Sequence, residues 1–291
     1  MTSPAPGRQG RLGDLAKRFA SALVMVALAL GTLFYDDRGQ SFLLFWLFAA
    51  VLVHWEWQHM VGRERVLLRA LAGTASLALL AALARLGDFD LPVLAFAGGL
   101  AVMAVCAPAG LRVWAMLGLA YAGALLLALC LLRFSNPGAY RQMAIVWLFA
   151  VVWGTDIMAY FGGRLIGGPK LWPRVSPSKT WSGTFTGIFC GAALGAGAVA
   201  QMKSHDFPQA EIGLLPVFLL GLLIASASQA GDLMESAMKR HFGVKDSSQL
   251  IPGHGGFMDR LDGFIFACVV AALIGSLRYG PSFTVNGLLQ W

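Results

Sequence analysis

Charged side chains are scarce in this sequence. Asp, Glu, Lys and Arg make up 13% of its 291 residues, whereas hydrophobic residues make up 57%. Soluble domains carry about a quarter charged residues, so an ordinary soluble domain is excluded. The composition indicates an integral membrane protein, to which the usual relation of about 150 residues per domain does not apply, and we expect a single membrane domain.

Cysteines are few, and two common nucleotide-binding fingerprints are absent. The four cysteines lie in apolar segments without metal-ligand spacing, so neither a zinc site nor a disulfide framework is indicated. The glycines form neither a Gly-x-Gly-x-x-Gly fingerprint nor a Walker loop, so those nucleotide-binding folds are not supported. The net charge of +7 is not gathered into one patch. In a membrane protein it reflects topology and contact with anionic lipid, and we expect no nucleic-acid partner.

Long apolar runs fill most of the chain. They lie at 19–35, 42–60, 66–86, 91–109, 112–134, 142–162, 182–202, 212–234 and 258–279. Each is near the ~20 residues that a helix needs to cross a bilayer, so the sequence predicts an all-α, polytopic integral membrane protein with about nine transmembrane helices. We expect a flexible basic tail at 1–17, N-terminal transmembrane helices at 18–140 and a C-terminal catalytic transmembrane region at 141–291.

The basic residues predict how the helices are oriented. With nine alternating spans, six of the 22 Lys and Arg residues fall on one side of the membrane. The other 16 fall on the side of the N-terminus and of the loops near 61–69, 110–112, 163–181 and 235–260. The positive-inside rule then places the N-terminus and both polar loops in the cytoplasm and the C-terminus outside.

The densest polar segment, 231–263, lies between two apolar runs. Charge at such a place is costly unless it serves a function. The residues to which we assign catalytic or substrate-binding roles are Asp232, Ser236, Lys239, Arg240, Lys245, Asp246, His254, Asp259, Arg260 and Asp262. The alternative is that the acids form solvated salt bridges with neighbouring basic residues, and it weighs most for Glu235 and Asp246.

Helical spacing singles out candidate metal ligands among these acids. Asp232 and Lys239 lie at i and i+7 of one helix face, with Glu235 and Ser236 between them. Asp259 and Asp262, at i and i+3, share a face of the next helix. Because Mg²⁺ prefers oxygen ligands, carboxylates from two helix ends could converge on it.

A glycine-rich turn at 251–256 separates the two helices. Glycines such as Gly255 and Gly256 let backbone amides approach an anion closely, so we assign them to substrate binding. His254 could donate a hydrogen bond to a phosphate or carry a proton. A simply solvated loop histidine is the alternative.

A second polar segment spans 156–183. Asp156 lies inside an apolar run, where a carboxylate requires a partner or an ion. Four cations and three hydroxyl groups follow, as a triphosphate site would need. They belong to Arg164, Lys170, Arg174, Lys179, Ser176, Ser178 and Thr180. The alternative, a positive loop touching anionic headgroups, explains the charges but not the hydroxyl groups beside them.

An intramembrane acid and a stripe of glycines are predicted to have structural roles. Glu56 is an acid inside the second apolar run, and we expect it to orient a loop or to pair with an Arg, without a catalytic role. Glycines recur at every fourth position from Gly183 to Gly195 and form a stripe on one helix face. We expect this stripe to pack against a helix of the same chain, with a homodimer seam as the alternative.

The order of these residues resembles a known family. Ser236-x-x-Lys-Arg240, Lys245-Asp246 and Pro252-x-His-Gly-Gly-x-x-Asp-Arg-x-Asp262 are similar to the C-terminal signature of phosphatidate cytidylyltransferases, the CDP-diacylglycerol synthases. Asp156 to Arg164 and the segment Ser-Pro-x-Lys-Thr-Trp at 176–181 resemble that family's other cytoplasmic motif. The chain departs from the family pattern at three positions, where it has Ser178 for Lys, Ser182 for Glu and Ser248 for Gly.

The resemblance implies an activity in phospholipid biosynthesis. CMP would pass from CTP to phosphatidic acid, giving CDP-diacylglycerol and pyrophosphate, in the bacterial cytoplasmic (inner) membrane. The family requires Mg²⁺, whose ligands would be Asp232, Asp259 and Asp262, and a second metal ion stays open. A lipid substrate explains an active site at the cytoplasmic membrane face.

Three other functions compete with this one. Charge at broken spans is common in transporters, but a transporter predicts inverted repeats, and the two halves of the sequence show no similarity. A related CTP-dependent transferase, such as a lipid kinase, would share the phosphate chemistry. A catalytically inactive scaffold is disfavoured by the intact set of acids.

Overall fold

The structure, a computed structural model, describes residues 23–86, 89–135, 140–206, 212–251 and 255–291. Ten α-helices and one hairpin lie in these ranges. The helices are α1 (Leu23–Tyr35), α2 (Gln40–Val61), α3 (Val66–Ala84), α4 (Asp90–Cys106), α5 (Arg112–Phe134), α6 (Tyr140–Leu165), α7 (Trp181–Asp206), α8 (Leu214–His241), α9 (Met258–Tyr279) and α10 (Thr284–Leu289). Strands β1 (Lys170–Trp172) and β2 (Ser176–Thr180) pair antiparallel between α6 and α7.

Each predicted apolar run coincides with one of the helices α1 to α9. Seven of these helices are long and apolar enough to cross a membrane, whereas α4 and the described part of α1 are shorter. The chain is therefore a polytopic, mainly helical membrane protein, as predicted, and the count of nine spans stays a prediction. The predicted tail at 1–17 lies outside the described residues.

The β1–β2 hairpin departs from the predicted all-α fold. Its segment carries Pro169, Pro173 and Pro177, which would each disrupt a helix interior. Gly167 and Gly168 precede it with φ angles of 69° and 101°, a left-handed conformation that ends α6 sharply. The polar loop predicted at 163–181 is thus an ordered hairpin.

The glycine stripe of α7 packs against α6. A Cβ atom at Gly183 would lie 2.6 Å from the carbonyl oxygen of Ala159, and one at Gly187 would lie 2.6 Å from that of Thr155. Gly191 and Gly195 meet α6 one and two turns further along. The predicted packing within one chain is confirmed, and a homodimer stays a prediction.

An aromatic cluster joins α2, α6 and α9. The Trp46 ring lies 5.1 Å from Phe264 and 6.2 Å from Phe149, and Phe149 stacks on Trp153 at 4.6 Å. Buried aromatic rings contribute large apolar areas and prefer defined offsets. The cluster therefore fixes the N-terminal helix α2 against the two helices that carry Asp156, Asp259 and Asp262.

Polar contacts distinguish the two ends of the bundle. At one end, Arg133 donates hydrogen bonds to the carbonyl oxygens of Asp36 and Asp37 at 3.3 and 3.4 Å. At the other end, the Trp114 ring at the start of α5 lies 5.1 Å from His241 at the end of α8. The hairpin and the start of α9 contact this second end as well. The two polar segments of the sequence therefore share one end, as the alternating topology requires.

Substitution within the glycine stripe tests this packing. We expect Gly187→Ala to destabilise the protein by about 1–3 kcal/mol, because the added methyl group overpacks the α6–α7 contact. Gly197 lies on the same helix in open space. Gly197→Ala should therefore be neutral or stabilise by up to about 1 kcal/mol through helix propensity. Thermal unfolding in detergent measures both, and equal unfolding temperatures would contradict the packing account.

Candidate active site

Five elements meet at one end of the bundle and surround a cavity of about 680 Å³. They are the C-terminal half of α6, the part of α8 around Gln229 and Asp232, the hairpin, and the first turns of α7 and α9. The predicted site residues that line the cavity are Asp156, Arg164, Lys170, Ser178, Lys179, Thr180, Asp232, Asp259, Arg260 and Asp262. The fold thus brings the two polar segments of the sequence together at one cavity.

A salt bridge closes the cavity between the hairpin and α8. The Lys179 ammonium lies 2.5 Å from a carboxylate oxygen of Asp232 and donates a hydrogen bond to the Gln229 amide oxygen at 3.2 Å. Gln229 and Asp232 lie at i and i+3 on α8, so they present one face to the hairpin. Lys179 is therefore held at the cavity wall beside an acid.

Besides Asp259, three carboxylates line the same cavity. Asp156 comes from α6, Asp232 from α8 and Asp262 from α9. One Asp262 oxygen accepts a hydrogen bond from the Gly263 amide at 2.7 Å. Acids gathered in this way favour the binding of a cation between them.

Lys239 lies behind the cavity in a buried ion cluster. Its ammonium is 2.7 Å from Glu235 and 2.6 Å from Asp259. The alternative interpretation of the sequence predicted that Glu235 forms a solvated salt bridge with a neighbouring basic residue. Glu235 does pair with Lys239, but both side chains are buried. Lys239 therefore links α8 to α9 through its ion pair with Asp259.

Asp259 is surrounded by donors. Besides Lys239, it accepts hydrogen bonds from the Ser247 amide and hydroxyl, both at 2.9 Å, and from the Gly256 amide at 2.7 Å. The anion that meets the Gly256 amide in the structure is thus a carboxylate of the chain itself. Gly255 has a φ angle of 82°, and a Cβ atom there would lie 2.7 Å from Asp259. Both glycines permit this close approach.

Thr180 begins α7. Its hydroxyl oxygen accepts a hydrogen bond from the Gly183 amide at 3.2 Å, as an N-cap residue does. Ser182, which stands where the resembled family usually has Glu, donates to the carbonyl oxygen of Gly167 and lies 3.1 Å from the Thr180 hydroxyl. These hydroxyl groups fix the hairpin on the end of α7.

The remaining predicted residues lie outside the cavity lining. The Ser236 hydroxyl contacts Asp232 at 3.4 Å, and Arg240 donates to the carbonyl oxygen of Val244 at 3.0 Å. Both lie on α8, and Ser236 shares the helix face of Asp232 that its spacing predicted. The other predicted residues outside the lining lie in two places. Arg174 and Ser176 belong to the hairpin, and Lys245, Asp246, Gly255 and Gly256 lie between α8 and α9. His254 falls outside the described residues.

Residues that the sequence did not single out also line the cavity. Gln229 and Thr184 contribute polar groups, and Tyr160 accepts a hydrogen bond from Arg164 at 2.8 Å. Gln229 is a polar residue inside an apolar run, one helical turn before Asp232. Its position could therefore have indicated that it lines the site. Thr184 carries no comparable signal.

Glu56 orients a loop, as predicted. It lies fully buried near the end of α2, and its carboxylate accepts hydrogen bonds from the amides of Phe257 and Met258 at 2.9 and 2.7 Å. The loop in question leads into α9 and so into the site.

A second, apolar cavity of about 370 Å³ adjoins the charged one. Helices α1, α2, α6 and α9 form it, with Ala29, Phe45 and Val152 among its lining residues. Asp156, Arg260 and Asp262 line both cavities. A molecule with one apolar and one anionic part could therefore reach across this boundary.

The acids could bind a hard divalent cation together with substrate phosphates. Among the described residues, no three His, Cys, Asp or Glu side chains form a ready-made metal site. Mg²⁺ does not need one, since it is usually held by one or two carboxylates together with substrate phosphates and waters. Asp232 and Asp262 supply such oxygen donors at the cavity wall, although Asp232 also pairs with Lys179. Asp259 is the most heavily engaged of these acids, because it accepts hydrogen bonds from four donors.

Comparison with known proteins extends over most of the chain. A model of the cytidylyltransferase family matches residues 16–277. A phosphatidate cytidylyltransferase of Brucella abortus is 39% identical over 274 residues, which cover 93% of this chain and 96% of that protein. Proteins of the same name from Staphylococcus saprophyticus and Bacillus subtilis are 44% and 38% identical, over 42% and 46% of this chain and 45% and 48% of their own lengths. The chain therefore belongs to the cytidylyltransferase family.

Proposed function

We propose that this protein transfers CMP from CTP to phosphatidic acid, forming CDP-diacylglycerol and pyrophosphate. The observation that carries the proposal is the junction of the two cavities, where Asp156, Arg260 and Asp262 face both a charged space and an apolar one. A reaction between a soluble nucleotide and a membrane lipid needs such a junction. Membership of the family and the names of the relatives support the same substrates.

The charged cavity fits a nucleoside triphosphate. Arg164, Lys170 and Lys179 line it on the side of α6 and the hairpin. Cations of this kind bind phosphate oxygens through charge-assisted hydrogen bonds. Lys179 contacts Asp232 and Gln229 at the cavity wall, and Lys170 donates to the Ser178 carbonyl oxygen at 3.4 Å, so both charges are held at the wall. Fixed donors cost no reorganisation during the reaction.

The apolar cavity fits the glycerol backbone and the first part of the acyl chains. Its wall consists mainly of aliphatic and aromatic side chains, and the transmembrane helices around it stand in the bilayer. The acyl chains could therefore remain in the membrane while the lipid phosphate reaches Arg260. The guanidinium of Arg260, which lines both cavities, is the group placed to receive that phosphate.

We propose Mg²⁺ as the cofactor, held by Asp232 and Asp262 together with substrate phosphates. The bound ion would neutralise charge on the phosphates of CTP and on the leaving pyrophosphate. Asp259, which the resemblance also implies as a ligand, holds the loop before α9 in this structure. A direct role for it in metal binding, and a second ion, stay predictions.

The reaction itself places modest demands on acid–base groups. An oxygen of the lipid phosphate forms a bond to the α-phosphorus of CTP, and the bond from that phosphorus to the bridging oxygen of pyrophosphate breaks. The attacking oxygen is already an anion, so a strong general base is not required. The difficulty is to bring two anions together, and the cations around the cavity address it directly.

We further propose that the site faces the cytoplasm of a bacterial inner membrane. The loops that share this end of the bundle carry most of the basic residues, which the positive-inside rule assigns to the cytoplasm. CTP is available on that side. The N-terminus would then be cytoplasmic and the C-terminus outside.

Position-specific labelling of CTP tests the reaction. With purified protein, Mg²⁺ and phosphatidic acid, label at the α-phosphate should enter the lipid, and label at the γ-phosphate should appear in pyrophosphate. A CTP-dependent lipid kinase would put the γ label into the lipid instead. No labelled lipid under conditions where a relative of the family is active would contradict the proposal. Flux of solute into vesicles without CTP turnover would favour a transporter.

Removal of the two proposed metal ligands should lower activity strongly. We expect Asp232→Asn and Asp262→Asn each to reduce kcat by about 10²–10³-fold, as loss of a group that stabilises transition-state charge does. The Mg²⁺ concentration for half-maximal rate should rise in both. Asp37→Asn, an exposed acid at the opposite end, serves as the control and should change neither value. Wild-type kcat and Mg²⁺ dependence in Asp262→Asn would contradict the assignment.

A further inference from the structure

The Glu56 carboxylate is tied to a segment about 200 residues further along the chain. Four hydrogen-bond donors converge on it: the Ser247 hydroxyl at 3.2 Å, the Ser248 hydroxyl at 2.6 Å, the Phe257 amide at 2.9 Å and the Met258 amide at 2.7 Å. The residue is fully buried. Hydrogen bonds to a buried carboxylate are about twice as strong as neutral ones. These contacts therefore hold the two ends of the segment 247–258, at Ser247–Ser248 and Phe257–Met258, against α2.

The same segment is held from its other side by Asp259. The Ser247 hydroxyl lies within hydrogen-bond distance of both acids, 3.2 Å from Glu56 and 2.9 Å from Asp259. A hydroxyl has one proton to donate, so Ser247 is shared between the two carboxylates. Asp259 is in turn anchored by Lys239. Glu56 and Asp259 thus clamp the segment from two helices.

The glycines of the segment leave space for this clamp. A Cβ atom at Gly256 would lie 2.5 Å from a Glu56 oxygen and would also collide with the Ser247 hydroxyl. The backbone can approach Glu56 so closely only without a side chain there. A glycine at position 256 is therefore required by the contacts with Glu56 and Ser247, whether or not a substrate is bound.

We propose that Glu56 is a positioning residue of the active site. Its bonds to the amides of Phe257 and Met258 fix the first turn of α9, where a negative charge also interacts favourably with the helix dipole. Arg260 lies in this first turn and Asp262 directly after it, and both line the cavity. The direction of α9 at its start sets where these two side chains lie, so Glu56 controls their position without touching the substrates.

The expected effect is a loss of turnover with little loss of nucleotide binding. Glu56→Gln turns one acceptor into an amide donor that faces other donors, which breaks part of the clamp. Small misplacement of reacting groups costs up to about 10²-fold, so we expect kcat to fall about 10- to 100-fold. The KM for CTP should change less than about threefold, because Lys179, Arg164 and Lys170 do not contact Glu56. Glu56→Asp, which keeps the charge, should recover part of kcat.

Hydrogen–deuterium exchange gives a readout that does not depend on turnover. In Glu56→Gln the amides of 247–258 should exchange at least about tenfold faster, while those of α6 and α7 exchange as in the wild type. Glu64→Gln removes an exposed acid just beyond α2 and is the matched control. It should leave both the exchange pattern and kcat unchanged.

Milder variants keep the test decisive if Glu56→Gln does not fold. Ser248→Ala and Ser247→Ala each remove one hydroxyl from the clamp and should shift exchange and kcat in the same direction by smaller factors. Wild-type exchange in 247–258 together with wild-type kcat, in Glu56→Gln or in both serine variants, would overturn the proposal. The kinetic arm rests on the proposed transfer reaction. If the wild-type protein transfers no CMP, that function fails, and exchange alone decides the role of Glu56.

Discussion

Charge buried among apolar helices has to be met by opposite charge or by hydrogen-bond donors, since a lone buried charge costs several kcal/mol. At the site end of this bundle, the partners come from different elements. Lys239 on α8 lies between Glu235 and Asp259, Lys179 on the hairpin reaches Asp232, and Glu56 on α2 binds the start of α9. The contacts that make the charge tolerable therefore also fix the shape of the cavity.

This arrangement explains why a membrane protein carries so many ionisable groups at one end. One layer of charge, around Lys239 and Glu56, holds the helices and the loop in place. A second layer, formed by Asp156, Asp232, Asp262 and the cations of the hairpin, faces the open cavity. The apolar cavity meets this second layer at Arg260. Anionic substrates from water and from the bilayer could thus meet where the fixed charges are already positioned.

Much of this architecture could be predicted from the sequence. Apolar run length located helices α1 to α9, and the spacing of glycines on α7 predicted a close helix contact, which α6 supplies. Helical spacing also placed Asp232 with Lys239 on α8 and Asp259 with Asp262 on α9. These features are local, so one segment of the sequence contains all the information for each of them.

The contacts between distant segments could not be predicted in the same way. Nothing near Lys239 in sequence shows that it binds Asp259 as well as Glu235, and nothing near Glu56 indicates its four donors. The glycines at 255 and 256 fit an anion cradle by composition, but they meet carboxylates of the chain once α2 and α9 are packed together. The hairpin could not be predicted, because its prolines and glycines are also typical of irregular loops.

A structure of the protein bound to a non-hydrolysable CTP analogue and Mn²⁺ would test the central claim most directly, because Mn²⁺ can be located by its anomalous scattering. The account predicts the triphosphate in the charged cavity beside Lys179 and Arg164. It predicts the metal ion in contact with Asp232, Asp262 or both, and the apolar cavity open beside Arg260. A nucleotide bound outside this cavity, or a metal ion held by other residues, would contradict it.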